Sequence, residues 1–207
     1  SVHPVPHEGR PVARRVCGDN PCPSNLRRIP RHPCSMSSFQ VRPATFNDVQ
    51  AIADIHAIAS RAAYEDLVPE EAFQATPMEK RLAFWRDAIE YAEPQVHVAV
   101  DGAQVIGFVG FDRSRDPRSK STVGEIWVIS VDPGYWSQGV GVDLWDAARE
   151  GLLEEECTQV TVWVPMLNDR AVRFFELAGF KREMNTAKTS IIGGVKLEEV
   201  RLKRALN

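Results

Sequence analysis

The segment Gly124–Leu144, GEIWVISVDPGYWSQGVGVDL, constrains the fold more than any other. An apolar run that reads as a strand passes through Asp132-Pro133-Gly134 into a loop whose glycines, Gly139 and Gly141, stand at the mouth of a helix. Glycine permits positive φ and lets a ligand approach the backbone closely. The first N–H groups of the helix point outward with the positive end of its dipole, an anion site suited to phosphate or pyrophosphate. No Gly-Lys-Ser/Thr follows, so this is not the phosphate loop of nucleotide hydrolases. Leu144 fills the third glycine position of a dinucleotide fingerprint. Taken alone, the glycine pair also fits a plain helix start.

Periodicity around this segment alternates between strand and helix. Phe39–Ala44 reads as a short strand, and Asn47 or Asp48 caps a helix with Val49, Ile52, Ala53, His56, Ser60 and Ala63 at helical spacing. A second helical region starts at Pro69, breaks at Thr76-Pro77 and resumes through Leu82, Trp85, Ile89 and Ala92. Gln95–Val100 and Gln104–Phe111 form a hairpin about Asp101-Gly102. A charged loop, 113–120, precedes a strand over 122–131. A helix then runs from about Val142 to Glu155, its inner face lined by Val142, Trp145, Ala148 and Leu152. The strand Gln159–Val164 and the helix Asp169–Ala178 follow, with Gly179 as C-cap. Strands at 180–187 and 195–206 close the chain. The apolar phase slips between Leu197 and Val200, which predicts a bulge around Glu198–Glu199. The expected class is α+β, a central mixed sheet with flanking helices and one βαβ crossover.

The net charge of −3 conceals two unlike parts: +4 over residues 1–38, from six arginines against Glu8 and Asp19, and −7 over 39–207. The first 38 residues hold seven of the 14 prolines and three of the four cysteines, with scattered aliphatics. Such a segment buries too little apolar surface to offset its ordering entropy, so we expect a flexible tail, with Met36 a plausible native start. Cys17, Cys22, His32 and Cys34 lack the spacing of a zinc finger and read as unpaired thiols. Without interleaved aromatics the basic arm gives no nucleic-acid site. At 43% apolar and 26% charged, with no run of 18 apolar residues, the chain is expected to be soluble and to enter no membrane. A 169-residue domain over 39–207 needs no disulfide or metal staple.

Two stretches carry a resemblance. Val131-Asp132-Pro133 is followed by Trp136-Ser137-Gln138-Gly139-Val140-Gly141. Downstream lies Asn168-Asp169-Arg170-Ala171-Val172-Arg173-Phe174-Phe175-Glu176-Leu177-Ala178-Gly179-Phe180. Their order and separation resemble the GCN5-related N-acetyltransferase superfamily across most of 39–207. The resemblance implies acetyl-CoA as co-substrate, its pyrophosphate wrapped by Ser137, Gln138, Gly139, Val140, Gly141 and Val142. The backbone of Ile129, Ser130 and Val131 would pair with the pantetheine arm, in a gap where strands 122–131 and 159–164 splay apart. Asn168 would add a side-chain hydrogen bond near the cofactor. Trp136 stands where the family motif has Arg or Gln. Phe175 stands where many members have the Tyr that protonates the departing thiolate, which leaves the acid step unassigned.

The resemblance also implies direct transfer to an amine. An alkylammonium has a pKa of about 10, so a base is useful at neutral pH. Glu125 lies within the apolar strand at the spacing from Gly139 of the glutamate in the family's histone acetyltransferases. It reads as that base, as a ligand of the substrate ammonium, or as the partner of a core arginine. Tyr64 and Asp66, and with them Trp85 and Trp127, fall where the family builds its acceptor wall. For the two tryptophans core packing is the competing reading. His56 reads as a satisfied core histidine, His97 as either core or site, and Cys157 as structural. No metal motif is present in 39–207. The expected acceptor is a small primary amine, an amino acid, polyamine or aminoglycoside, in a cytoplasmic enzyme. Rival readings are a protein N-acetyltransferase, a non-catalytic acyl-CoA sensor and a nucleotide-binding protein. Many proteins of this fold form homodimers, and the edge of the last strand offers a surface for one.

Overall fold

The computed structural model describes residues 39–192 and 194–206. The expected flexible tail, with Cys17, Cys22, His32 and Cys34, lies outside them.

Seven strands form one sheet in the order β1-β2-β3-β4-β5-β7-β6. They are β1 (Gln40–Pro43), β2 (Gln95–Asp101), β3 (Gln104–Arg113), β4 (Val123–Val131), β5 (Gln159–Pro165), β6 (Lys181–Ile192) and β7 (Val195–Ala205). Five helices flank them: α1 (Val49–Tyr64), α2 (Glu70–Phe73), α3 (Met78–Tyr91), α4 (Val140–Glu154) and α5 (Asp169–Leu177). All pairings are antiparallel except β4 with β5, the crossover made by α4. The class and element order match the sequence reading.

The sheet is covered on both faces. On one, α4 buries Val140, Leu144, Trp145, Ala148 and Leu152 against Ile106, Val109, Phe111 and Ile126, with Val172 and Phe175 of α5 in the same core. On the other, Val49, Ile52, Ala53 and Ile55 of α1 pack with Trp85 and Ala88 of α3 over Val96, Val98, Val100 and Phe108. Full burial of each Val, Leu, Ile or Phe side chain among them contributes roughly 1.5–3 kcal/mol. These patches therefore decide which way every strand faces. The α4 helix starts two residues earlier than expected, and Val142 is 52% exposed at the loop rather than on the inner face.

Two irregularities matter for the site. In β4 the register with β3 passes from Val128↔Gly110 to Ile126↔Phe111, so Trp127 is a bulged extra residue. The parallel pairing of β4 with β5 ends at Ile126↔Val162. Beyond the bulge the two strands part, as expected from the family resemblance.

The second irregularity corrects an expectation. No bulge occurs at Glu198–Glu199, where β7 pairs regularly with β5 from Gln159↔Ala205 to Pro165↔Glu199. The break is in β6, where four residues between Glu183 and Lys188 stand opposite Val200. The apolar phase slip has another cause. Leu197 packs on Val68 and Ala72 on one side of the sheet, while Val200 and Leu202 enter the core on the other.

Among the described residues no helix is long and apolar enough to cross a membrane. None of their His, Cys, Asp and Glu groupings could hold a metal ion.

Candidate active site

A cavity of about 1090 Å³ opens where β4 and β5 part. The backbone of β4 beyond Trp127 and of β5 beyond Val162 has no partner strand across the gap. Unpaired strand edges of this kind invite an extended ligand to complete the ladder. One end of the cavity is the α4 N-terminus. Gly139 is the N-cap at φ +92, left-handed backbone that glycine adopts without strain. Gly141 sits under α5, and a Cβ there would come within 3.1 Å of the Phe174 ring. The Val142 and Asp143 N–H groups already donate to the Gly139 carbonyl, at 2.9 and 3.1 Å, which leaves the N–H groups before them for a ligand. With Arg170 and Arg173 on the same lining, this end suits a polyphosphate.

Trp136, at the motif's Arg/Gln position, is anchored by its Nε1–H donating to the Val131 carbonyl at 2.9 Å. The Arg170 guanidinium stacks on its ring at 4.0 Å. The indole thus places a cation from α5 beside the loop, in a position the motif itself leaves neutral here.

The opposite wall comes from α1–α3. His56 Nδ1 accepts from Trp85 Nε1–H at 3.3 Å, and burial first, then the Arg81 charge, pushes the imidazole pKa down to about 4. Tyr64 ends α1 in contact with the Asn168 side chain, whose Oδ1 also accepts from the Ala171 N–H at 3.1 Å as the α5 N-cap. Burial, the largest effect on Tyr64, raises its pKa above the usual phenol value, and the Asn168 hydrogen bond opposes the rise. Glu199 of β7 lines the same cavity, 3.7 Å from Lys188 Nζ. Trp163 lies next to it, with Nε1–H on Asp116 at 2.9 Å and Lys188 over its ring.

The expected residues divide in a definite way. Ile129, Ser130, Val131, Ser137, Gly139, Gly141, Val142, Asn168 and Phe175 line the cavity, as do Tyr64, Trp85 and Trp127. Gln138 and Val140 do not: the Gln138 amide donates back to the Gly134 carbonyl at 3.0 Å, and the Val140 side chain is buried in the core. What those two residues offer a ligand is backbone. Asp66 lines a separate smaller hollow beside Leu167 and Asn168.

Glu125 is 2% exposed and does not line the cavity. Its Oε2 accepts from the Arg115 backbone N–H at 2.8 Å and its Oε1 from the Arg115 guanidinium at 2.5 Å. Arg115, stacked over Trp127 at 3.9 Å, is what the cavity meets. Of the three alternatives the arginine pairing describes this geometry, but the partner is a loop arginine with its side chain 53% exposed and not one from the core. The physical reason is the burial of Glu125, since a carboxylate inside a strand needs a counter-charge. Arg81, Arg115, Trp163, Arg170 and Glu199 were not picked out from the sequence. Arg170 lies within the stretch that carries the resemblance, Arg115 in the charged loop and Glu199 at the β7 phase slip, but none of these patterns marks the residue as part of a site.

Residues 54–180 match the profile of the acetyltransferase (GNAT) family. The chain belongs to that family. A mycothiol acetyltransferase from Acidimicrobium ferrooxidans is 31% identical over 83 residues, 40% of this chain and 26% of that protein. The chain thus spans about a quarter of that relative's length. Among solved structures, yncA from Salmonella typhimurium, a putative acetyltransferase with its cofactor acetyl-CoA, has a TM-score of 0.64 at 17% identity over 82% of this chain and 94% of that one. PaiA N-acetyltransferase from Thermoplasma acidophilum, in complex with coenzyme A, gives 0.64 at 16%, over 81% and 99%. These likenesses establish the acetyltransferase fold.

Proposed function

We propose that the protein transfers the acetyl group of acetyl-CoA directly to the primary amine of a small molecule. Acetyl-CoA is the co-substrate that membership of this family brings, and the donor set fits it. The observation that carries the reading is the parting of β4 and β5 after Ile126↔Val162, with the Gly139–Gly141 helix start at one end of the gap. Unpaired strand edges suit the amides of a pantetheine arm, and the helix start with Arg170 suits the phosphates. Bound there, acetyl-CoA supplies an activated acyl group, and the protein's own groups manage the protons.

Attack needs a neutral amine. Glu199 is the carboxylate we assign to take the ammonium proton, because it lines the cavity while Glu125 is enclosed by Arg115. Glu125 then serves to hold Arg115 over Trp127. Phe175 has no proton to give the departing thiolate, and the Tyr64 hydroxyl, held by Asn168 and kept protonated at neutral pH, takes that role.

Thiol release from acetyl-CoA over a panel of primary amines tests the reading. At pH 7, Glu199→Gln is expected to lower kcat about 100-fold, with recovery as pH approaches the pKa of the amine near 10. Glu125→Gln should act mainly on KM. No turnover with any amine, or a deeper kcat loss in Glu125→Gln than in Glu199→Gln, would overturn the assignment at the corresponding level.

A further inference from the structure

Of the charged groups on the cavity wall, Asp169 and Arg173 are exposed to solvent and three others are already engaged. Arg115 is paired with Glu125, Arg170 stacks on Trp136, and Glu199 lies beside Lys188. Arg81 of α3 is different. Its Nη1 is buried without a hydrogen-bond partner, and among the described residues no carboxylate forms an ion pair with it. Burial lowers its pKa from the usual guanidinium value, yet arginine stays cationic at any physiological pH. Arg81 as a whole is only half-buried, but its Nη1 is shut off from solvent, and a buried donor left without an acceptor is unfavourable. A protein keeps such a group where a ligand supplies the missing anion.

The neighbour of Arg81 has the same polarity. Because His56 Nδ1 accepts from Trp85, its proton sits on Nε2, and with a pKa near 4 the ring is neutral at pH 7. Ser60 and Thr76 add hydroxyls to this wall. It therefore presents donors and one full positive charge.

The side of the sheet decides which anion this wall serves. Arg81 and His56 belong to the α1/α3 layer, packed over β2 and β3, whereas the glycine loop, α4 and α5 belong to the opposite layer. The phosphates of CoA are accounted for on that opposite side. What remains for Arg81 is an anion on the acceptor.

We propose that the acceptor amine carries a carboxylate, and that Arg81, with the Nε2–H of His56, binds it. The acceptor is then an amino acid, and polyamines and aminoglycosides are excluded. This rests on the N-acetyltransferase reading above and narrows its substrate class.

The test compares each member of an amino-acid panel with its carboxamide and its decarboxylated amine, in wild type and Arg81→Gln. Wild type should favour the acid by about 100-fold in kcat/KM, the effect of truncating one partner of a buried charge pair. Arg81→Gln should bring acid and amide within about 3-fold of each other, through KM for the acid. Arg81→Lys should recover part of the preference. A second arm needs no turnover: the CoA-loaded protein is titrated calorimetrically with the N-acetylated amino acids, which keep the carboxylate but have no amine to react. Their binding should vanish in Arg81→Gln while CoA affinity holds. Arg81→Met should leave Tm unchanged or raise it, because it removes a buried donor that has no acceptor, whereas a structural role for Arg81 predicts a fall. Equal kcat/KM for acid and amide in wild type, or N-acetyl amino acids that bind equally with and without Arg81, would overturn the inference and leave the transferase reading standing. Absence of turnover with every amine would sink the transferase reading, and the calorimetric arm would still decide on the anion site.

Discussion

The absent Cβ of Gly141 is worth more to this site than most side chains. A methyl group there meets the Phe174 ring at 3.1 Å, and the ring, itself in edge contact with Phe175, must give way for it. Gly141→Val is expected to weaken CoA binding by 10-fold or more in a calorimetric titration, with Tm changed by only a few degrees. Unchanged affinity would remove the loop from the cofactor site. His56 shows what a single buried ring does to the whole stability curve. Its folded pKa of about 4 lies below the unfolded value of 6.5, so between those values the unfolded chain binds the proton first. Stability is therefore complete above pH 6.5 and falls as pH drops toward 4, by roughly 3 kcal/mol in total. Denaturant titrations at stepped pH should show this slope, and His56→Gln should flatten it. Neither residue's role follows from its type. His56 was legible only as a core histidine, because its partners Trp85 and Arg81 arrive from another helix.

Among the elements, α5 shows how one side chain can serve two purposes. Asn168 accepts from Ala171 N–H as the N-cap and contacts Tyr64 across the cavity mouth. Asn168→Ala should cost about 1 kcal/mol of stability through the lost cap. If Tyr64 is the acid, kcat should fall as well, while Asn168→Asp, which retains the cap, should restore stability without restoring kcat. Loss of stability alone would confine Asn168 to capping. The two irregular strands differ in how well they could be read. In β4, Ile126, Trp127, Val128 and Ile129 are all apolar because both faces of the sheet are covered. An inserted residue there shifts no visible pattern, and the bulge that opens the site leaves no trace in the sequence. In β7 the phase slip was visible but had the wrong cause, for the strand is regular and its apolar residues serve two cores on opposite faces.

At the scale of the whole molecule, the cavity joins two layers that are otherwise separated by the sheet, one carrying the glycine loop and the other Arg81 and His56. Amides of Val128–Val131 that face the gap lack strand partners, while those facing β3 are paired. Hydrogen exchange should therefore be fast at alternate positions along this run and slow when CoA is added, since the pantetheine arm completes the ladder. Equal protection with and without CoA would place the cofactor elsewhere. The sequence by itself determined the order and type of the elements, the glycine loop and the family. The elements and the glycine loop are local patterns of periodicity, capping and backbone freedom, and the family follows from the order and separation of two such stretches. Only the tertiary structure decided that Glu125 lies beneath Arg115, that Glu199 and Tyr64 face the gap, and that Arg81 has no counter-ion among the described residues. Charge pairing and exposure depend on which distant residues the sheet and helices bring within a few ångströms, and no local pattern records that.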